Sequence, residues 1–210
     1  MTTESRTQVM LIGSFLSNFD KTIIEHIVID APVETAYRAV RDMDFLSVHS
    51  PLMDAAMFVR AIPERIGRMF RREPRPAPPP VMRLSDFFDG EPDPEILQGW
   101  VPLGEDEPHE IVFGAVGKVW QPEIDWKRVQ PQDFASFNEP GFAKIAVGFS
   151  TRSYGESRTL LSYEARTAGT DEDSRNKFRR YWWLVEKFVG VVMRAAVNTS
   201  KELAESPKQA

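Results

Sequence analysis

Between Phe178 and Ala196, apolar side chains recur at every third and fourth position. The stripe runs through Phe178, Tyr181, Trp182, Val185, Phe188, Val189, Val192, Met193 and Ala196, while Glu186, Lys187, Arg194 and Lys201 mostly fall off it. This is helical period, and it predicts one helix from Thr170 to Glu205. Thr170 is expected to cap it, with Asp173 in the capping-box position and Asp171 and Glu172 complementing the dipole. At 1.5 Å per residue such a helix is roughly 45–50 Å long and needs a broad apolar surface to lie on.

The segments upstream supply candidates. Thr22 to Asp30 alternates and is rich in β-branched residues, so it reads as a first strand: Ile23, Glu25, Ile27 and Ile29 on one face, Ile24, His26 and Val28 on the other. Asp30-Ala31-Pro32 starts a short helix with Val33, Ala36, Tyr37 and Val40 as its buried stripe. Pro51 to Arg72 is a second helical region, split near Pro63. Leu84 to Phe88 has the length of one helical turn. Strands follow over Ile96–Leu103, Glu110–Trp120, Ala143–Tyr154 and Thr159–Thr167, with a short helical insert at Pro131–Asn138. Gly155-Glu156-Ser157 makes the last two an antiparallel hairpin. Strands clustered in sequence, flanked by segregated helices, predict an α+β fold built on an antiparallel sheet. Residues 1–21 read as an N-terminal extension and 22–205 as a single domain.

Composition narrows the function classes. The 210 residues carry a net charge of −5 and no cysteine. An acidic chain offers phosphate no global attraction, so nucleic acid is not an expected partner. Without cysteine there are no disulfides, thiolate metal sites or thiol nucleophiles, which fits a cytoplasmic location. Val9 to Leu16 is apolar but lacks the flanks of a signal peptide, and no run reaches the ~20 apolar residues of a membrane span. Arg60, Arg65, Arg68, Arg71, Arg72 and Arg75 form the basic cluster of this acidic chain. It is either a solvated face or a contact for an anionic surface or a protein. Five prolines over Pro74–Pro80 make an extended loop. The acidic turn Asp89–Glu95 lacks the ligand alternation of a calcium loop. No metal site and no cofactor fingerprint is read, and the hydrolase elbow, zinc-protease pair and phosphate loop are all missing.

Three stretches carry a resemblance: His26-Ile-Val-Ile-Asp-Ala-Pro-Val-Glu-Thr-Ala-Tyr37, then Glu110-Ile-Val-Phe-Gly-Ala-Val-Gly-Lys-Val-Trp120, then Tyr163-Glu-Ala-Arg166 through Asp171, Arg175, Phe178, Arg180, Tyr181 and Trp182. Together they resemble the START/Bet v 1-like superfamily, also called the polyketide cyclase/dehydrase and lipid-transport (SRPBCC) superfamily, over roughly residues 22 to 204. The latter two stretches resemble a bacterial subgroup of it. The resemblance implies a helix-grip fold, a curved antiparallel sheet wrapped around the long C-terminal helix. It also implies an apolar or amphipathic small molecule held between the two. The Arg-rich helix, the proline loop and the Pro131 insert depart from the simplest members.

Candidate chemistry follows from strand alternation. Glu164 and Arg166 share one face of their strand. If that face is concave, the pair lies in the cavity and orients a polar head, or Glu164 acts as acid or base; otherwise it is a structural ion pair. Glu110, Gly114 and Trp120 share a face of another strand, where Gly114 leaves room for a ligand or for the long helix. Tyr181, Trp182 and Val185 line a pocket or fill a core. His26 is the histidine best placed for catalysis, and His26, His49 and His109 have no metal spacing. Three readings result. The first is a binding protein for a hydrophobic small molecule. The second is a cyclase or hydratase using Glu164 or His26. The third is an interaction protein acting through Arg60–Arg75.

Overall fold

The computed structural model describes residues 10–44, 83–90 and 99–206. Pro51–Arg72, the arginine cluster and the proline loop lie outside them. The elements are α1 (Leu11–Phe15), β1 (Lys21–Ile29), α2 (Val33–Asp42), α3 (Leu84–Asp89), β2 (Trp100–Asp106), β3 (Glu110–Gly117), β4 (Trp126–Lys127), a 3₁₀ turn (Pro131–Asp133), β5 (Ala143–Tyr154), β6 (Arg158–Gly169) and α4 (Glu172–Glu205).

The strands form one six-stranded antiparallel sheet in the order β1-β6-β5-β3-β2, with β4 paired to β3. With the long helix α4 on one face, this is the helix-grip architecture that the resemblance implies. The hairpin falls where its turn signal lies: Tyr154 faces Arg158, and Gly155 takes φ +77°, a left-handed conformation that suits glycine. β1 pairs along its whole length with β6, from Lys21 opposite Thr167 to Ile29 opposite Thr159.

Both faces of the sheet are covered, so β3, and β5 as far as Thr151, are buried almost without a break instead of alternating. On the inner face, Ile29, Ile111, Phe149 and Leu161 pack with Ala36, Tyr37 and Val40 of α2 and with Ala196 and Val197 of α4. On the outer face, Ile12 and Leu16 of the N-terminal segment join Leu103, Val112, Val116, Phe134 and Phe142.

Three local expectations are corrected. The cap of α4 is Asp171, not Thr170: its Oδ1 accepts from the Ser174 amide at 2.7 Å, and its Oδ2 accepts from Gly141. Thr170 instead ties Phe142, accepting from its amide at 3.1 Å. β3 ends at Gly117, so Trp120 is not a strand residue. Gly114 makes room for neither helix nor ligand, because a Cβ there would lie 2.8 Å from the Ile145 carbonyl oxygen and 2.9 Å from Phe134 on the outer face.

Candidate functional site

Alternation along β6 decides what faces α4. Leu161, Tyr163, Ala165 and Thr167 point inward, and so do Ile145 and Val147 of β5. Two packed clusters hold the helix in place at either end. Near its start, Phe178 and Trp182 pack with Val119 and Ala143. Near its end, Ala196 and Val197 enter the main core. Between these supports the sheet presents small or modest side chains, Ala165 and Thr167 among them, and the helix does not close onto them. The result is a cavity of about 300 Å³.

The cavity is apolar. Its roof is the α4 stripe from Phe178 to Met193, including Tyr181, Trp182, Val185, Phe188, Val189 and Val192. Its floor is Ile145, Val147, Tyr163, Ala165 and Thr167, and Trp100, Trp126, Val119 and Ile124 close one side. No Asp, Glu, Lys, Arg or His lines it among the described residues. The lining side chains that carry a polar group are, among the described residues, Tyr163, Thr167, Tyr181 and the tryptophans Trp100, Trp126 and Trp182. The Tyr163 ring stacks on Phe149, with centroids 4.0 Å apart and planes at 15°. Burial pushes its phenol pKa up, so Tyr163 stays protonated at any physiological pH. It is a hydrogen-bonding group and not a base.

The tethers of α4 fix this geometry. Arg194 meets Glu25 at 2.8 Å, Lys201 Nζ donates to the Val28 carbonyl at 2.6 Å, and Glu205 accepts from the Asp30 amide at 2.7 Å. The C-terminal half of α4 is thus tied to β1, and the N-terminal half roofs the cavity. Gly190 marks the crossing: a Cβ there would sit 3.3 Å from the Ile23 methyl.

Of the residues singled out in the sequence, Tyr181, Trp182 and Val185 reach the cavity. Trp120 packs against the cluster at its end. Glu164, Arg166, Glu110 and His26 are elsewhere, because the face they share is the outer one. Glu164 is 8% exposed, bonds Arg166 Nε at 2.6 Å and takes a long 3.4 Å contact from the Thr22 hydroxyl. Arg166 also donates to the Leu16 carbonyl at 3.1 Å and lies over the Phe19 ring at 4.8 Å. Glu110 accepts from the Leu11 amide and from Arg152. Glu110 therefore holds the N-terminal segment to the sheet directly, and Glu164 does so through Arg166. His26 is exposed, with Nδ1 2.8 Å from the Ser162 hydroxyl.

A separate polar network sits at the far end of the inner face. The Tyr37 hydroxyl donates to Glu105, and Arg41 bridges Glu105 and Asp89 at 2.7 Å each. Burial, then the Glu105 bond, pushes the Tyr37 phenol pKa up. The network joins α2, α3 and β2. No group of His, Asp and Glu able to hold a metal ion occurs among the described residues.

No family model and no curated protein matches the chain. Among solved structures it is similar to protein Ms6760 from Mycobacterium smegmatis, with 13% identity and a TM-score of 0.39, over 90% of this chain and 93% of that one. It is also similar to TTHA0849 from Thermus thermophilus, with 10% identity and a TM-score of 0.31, over 88% and 97%. A third is the Zhui aromatase/cyclase from Streptomyces sp. R1128, with 10% identity and a TM-score of 0.30, over 90% and 99%. At such identities and scores they decide nothing about chemistry, and the fold above is read from the chain's own strand pairing.

Proposed function

We propose that the protein binds a hydrophobic or amphipathic small molecule, lipid- or polyketide-like, in the cavity between the sheet and α4. One observation carries this reading: an apolar cavity of about 300 Å³ with no carboxylate, imidazole, ammonium or guanidinium group in its described wall. Apolar walls supply affinity, and a few hydroxyls fix orientation. Tyr181, Trp182 and Val185 form the roof, and Tyr163 offers the ligand a hydrogen bond. The cyclase or hydratase reading needs ionisable groups converging on one point. Glu164 and His26, its candidates, lie on the other side of the sheet, which favours binding without catalysis. The Arg60–Arg75 reading rests on residues outside those described.

A neutral naphthalene dye, N-phenyl-1-naphthylamine, tests the proposal. Its fluorescence should rise at one equivalent per chain and fall on displacement by apolar competitors. Ala165→Phe, which fills the floor, should abolish binding while the protein stays folded. Glu164→Gln and His26→Ala should bind as the parent does. Dye binding that survives Ala165→Phe, or that is lost with Glu164→Gln in a folded protein, overturns the assignment.

A further inference from the structure

The outer side of α4 breaks the usual rule for an exposed helix face. Trp183 is 80% exposed and Leu184 is 69% exposed. Burying neither of them serves the core, since the stripe that grips the sheet lies on the opposite side of the helix. Arg180, Trp183, Leu184 and Lys187 stand at i, i+3, i+4 and i+7, so they form one face. Arg179 flanks it. Arg179, Arg180 and Lys187 make no ion pair with a carboxylate among the described residues; Arg179 reaches only the Asn176 side chain, at 2.9 Å. Glu186 is the acid nearest in sequence, and Lys177 is already paired with Asp173 at 2.6 Å. Three unpaired cations thus surround an exposed tryptophan and leucine, on a chain whose net charge is −5.

We propose that this face docks on an anionic lipid surface. The pairing of charges and apolar tips selects that partner. Tryptophan beside leucine suits the boundary between headgroups and acyl chains, and arginine and lysine on the same face meet anionic headgroups. A protein partner that buries Trp183 would have to supply an acidic rim for three cations as well, and a second copy of this chain would bring like charges together on the same face. The stretch spans about two helical turns, so the docking is peripheral and reversible. No helix among the described residues is long and apolar enough to cross a membrane. Leu184 lies one turn before Phe188 of the cavity roof, so docking places the roof helix against the lipid surface. The inference does not depend on the cavity being filled.

Co-sedimentation of the full chain tests it, with vesicles of phosphatidylcholine alone and of phosphatidylcholine with phosphatidylglycerol. Binding is expected to the anionic vesicles only and to weaken as salt is raised. Each of Arg180→Gln and Lys187→Gln should weaken it about fivefold. Trp183→Ser should weaken it about tenfold or more, and the fold should survive because the side chain is already in solvent. Arg38→Gln, a cation on another helix, is the control and should bind as the parent does. Equal binding to both vesicle types, or anionic binding unchanged by Trp183→Ser and Lys187→Gln, overturns the proposal. So does an absence of vesicle binding; a dimer, seen by light scattering, that Trp183→Ser dissociates would then assign the face to a second copy of the chain.

Discussion

Arg166→Met is the substitution that separates the structural role of the outer-face ion pair from a functional one. Glu164 and Arg166 have side chains only 8% and 14% exposed, joined at 2.6 Å. Removing the guanidinium leaves a buried carboxylate whose remaining contact is the Thr22 hydroxyl at 3.4 Å. Stranding one partner of a buried pair costs about 3–5 kcal/mol. The lost bond to the Leu16 carbonyl and the contact with Phe19 are part of that figure and not additions to it. The pair keeps slight solvent access, so the expected loss is at the lower end, about 3 kcal/mol. For a chain of this size that is a fall in Tm of roughly 6–12 °C. The double variant Glu164→Leu with Arg166→Met removes the stranded charge, and most of the loss should return. The assay is urea unfolding of the parent, both single variants and the double variant, with equal m-values required. A loss under about 1 kcal/mol for Arg166→Met, or a double variant that equals the sum of the singles, refutes the reasoning. In each folded variant the dye should still bind, since the pair lies across the sheet from the cavity.

Other outcomes follow from the same structure. Gly190→Ala should stabilise, because an alanine mid-helix is worth about 1 kcal/mol over glycine and its nearest neighbour is a movable Ile23 methyl at 3.3 Å; a lowered Tm would contradict this. Tyr163→Phe should leave unfolding within about 1 kcal/mol of the parent, yet weaken ligands that accept a hydrogen bond by up to about tenfold, as read by dye displacement. Hydrogen bonds from the Ser174 and Gly141 amides hold the Asp171 carboxyl below its usual pKa, so its stabilising effect is present above the unfolded carboxylate range and lost as pH falls through the folded value. Urea midpoints of the parent and Asp171→Asn should therefore differ at pH 7, and the gap should start to close only as pH falls below about 4. A constant gap would contradict that account.

The helix and strands were legible because their signals are periodic and long. The α4 stripe, the β-branched run of β1 and the turn at Gly155 each left little alternative, so sheet and helix could be placed together. The site was harder, because alternation says which residues share a face and not which face is inside. Glu164 and Arg166 stand out as chemistry, while Leu161, Tyr163 and Ala165 beside them are the face an apolar helix requires. Matching the apolar stripe of α4 to the apolar side of β6 identifies the inner face. Nothing local indicates that Met10–Leu16 covers the charged side, since its tethers, the Leu11 amide on Glu110 and the Leu16 carbonyl on Arg166, reach partners from across the chain. The short strand Trp126–Lys127 carries no period at all, and its tryptophan became a cavity wall only through pairing with Val116 and Gly117.

The pairing of β1 with β6 also sets an order of events as the chain is made. β1 lies at the edge of the sheet, and β6 is its sole strand partner among the described residues. That partner is more than a hundred residues downstream in every registered pair. Until the last hairpin leaves the ribosome, β1 is a β-branched strand with no neighbour and, on its inner face, no covering helix. At 5–20 residues per second, that interval lasts on the order of ten seconds. Contacts this distant also slow refolding of the complete chain, since the loop must close before any pairing rewards it. Truncation before Arg158 would leave β1 exposed for good, as a ready template for pairing with another chain.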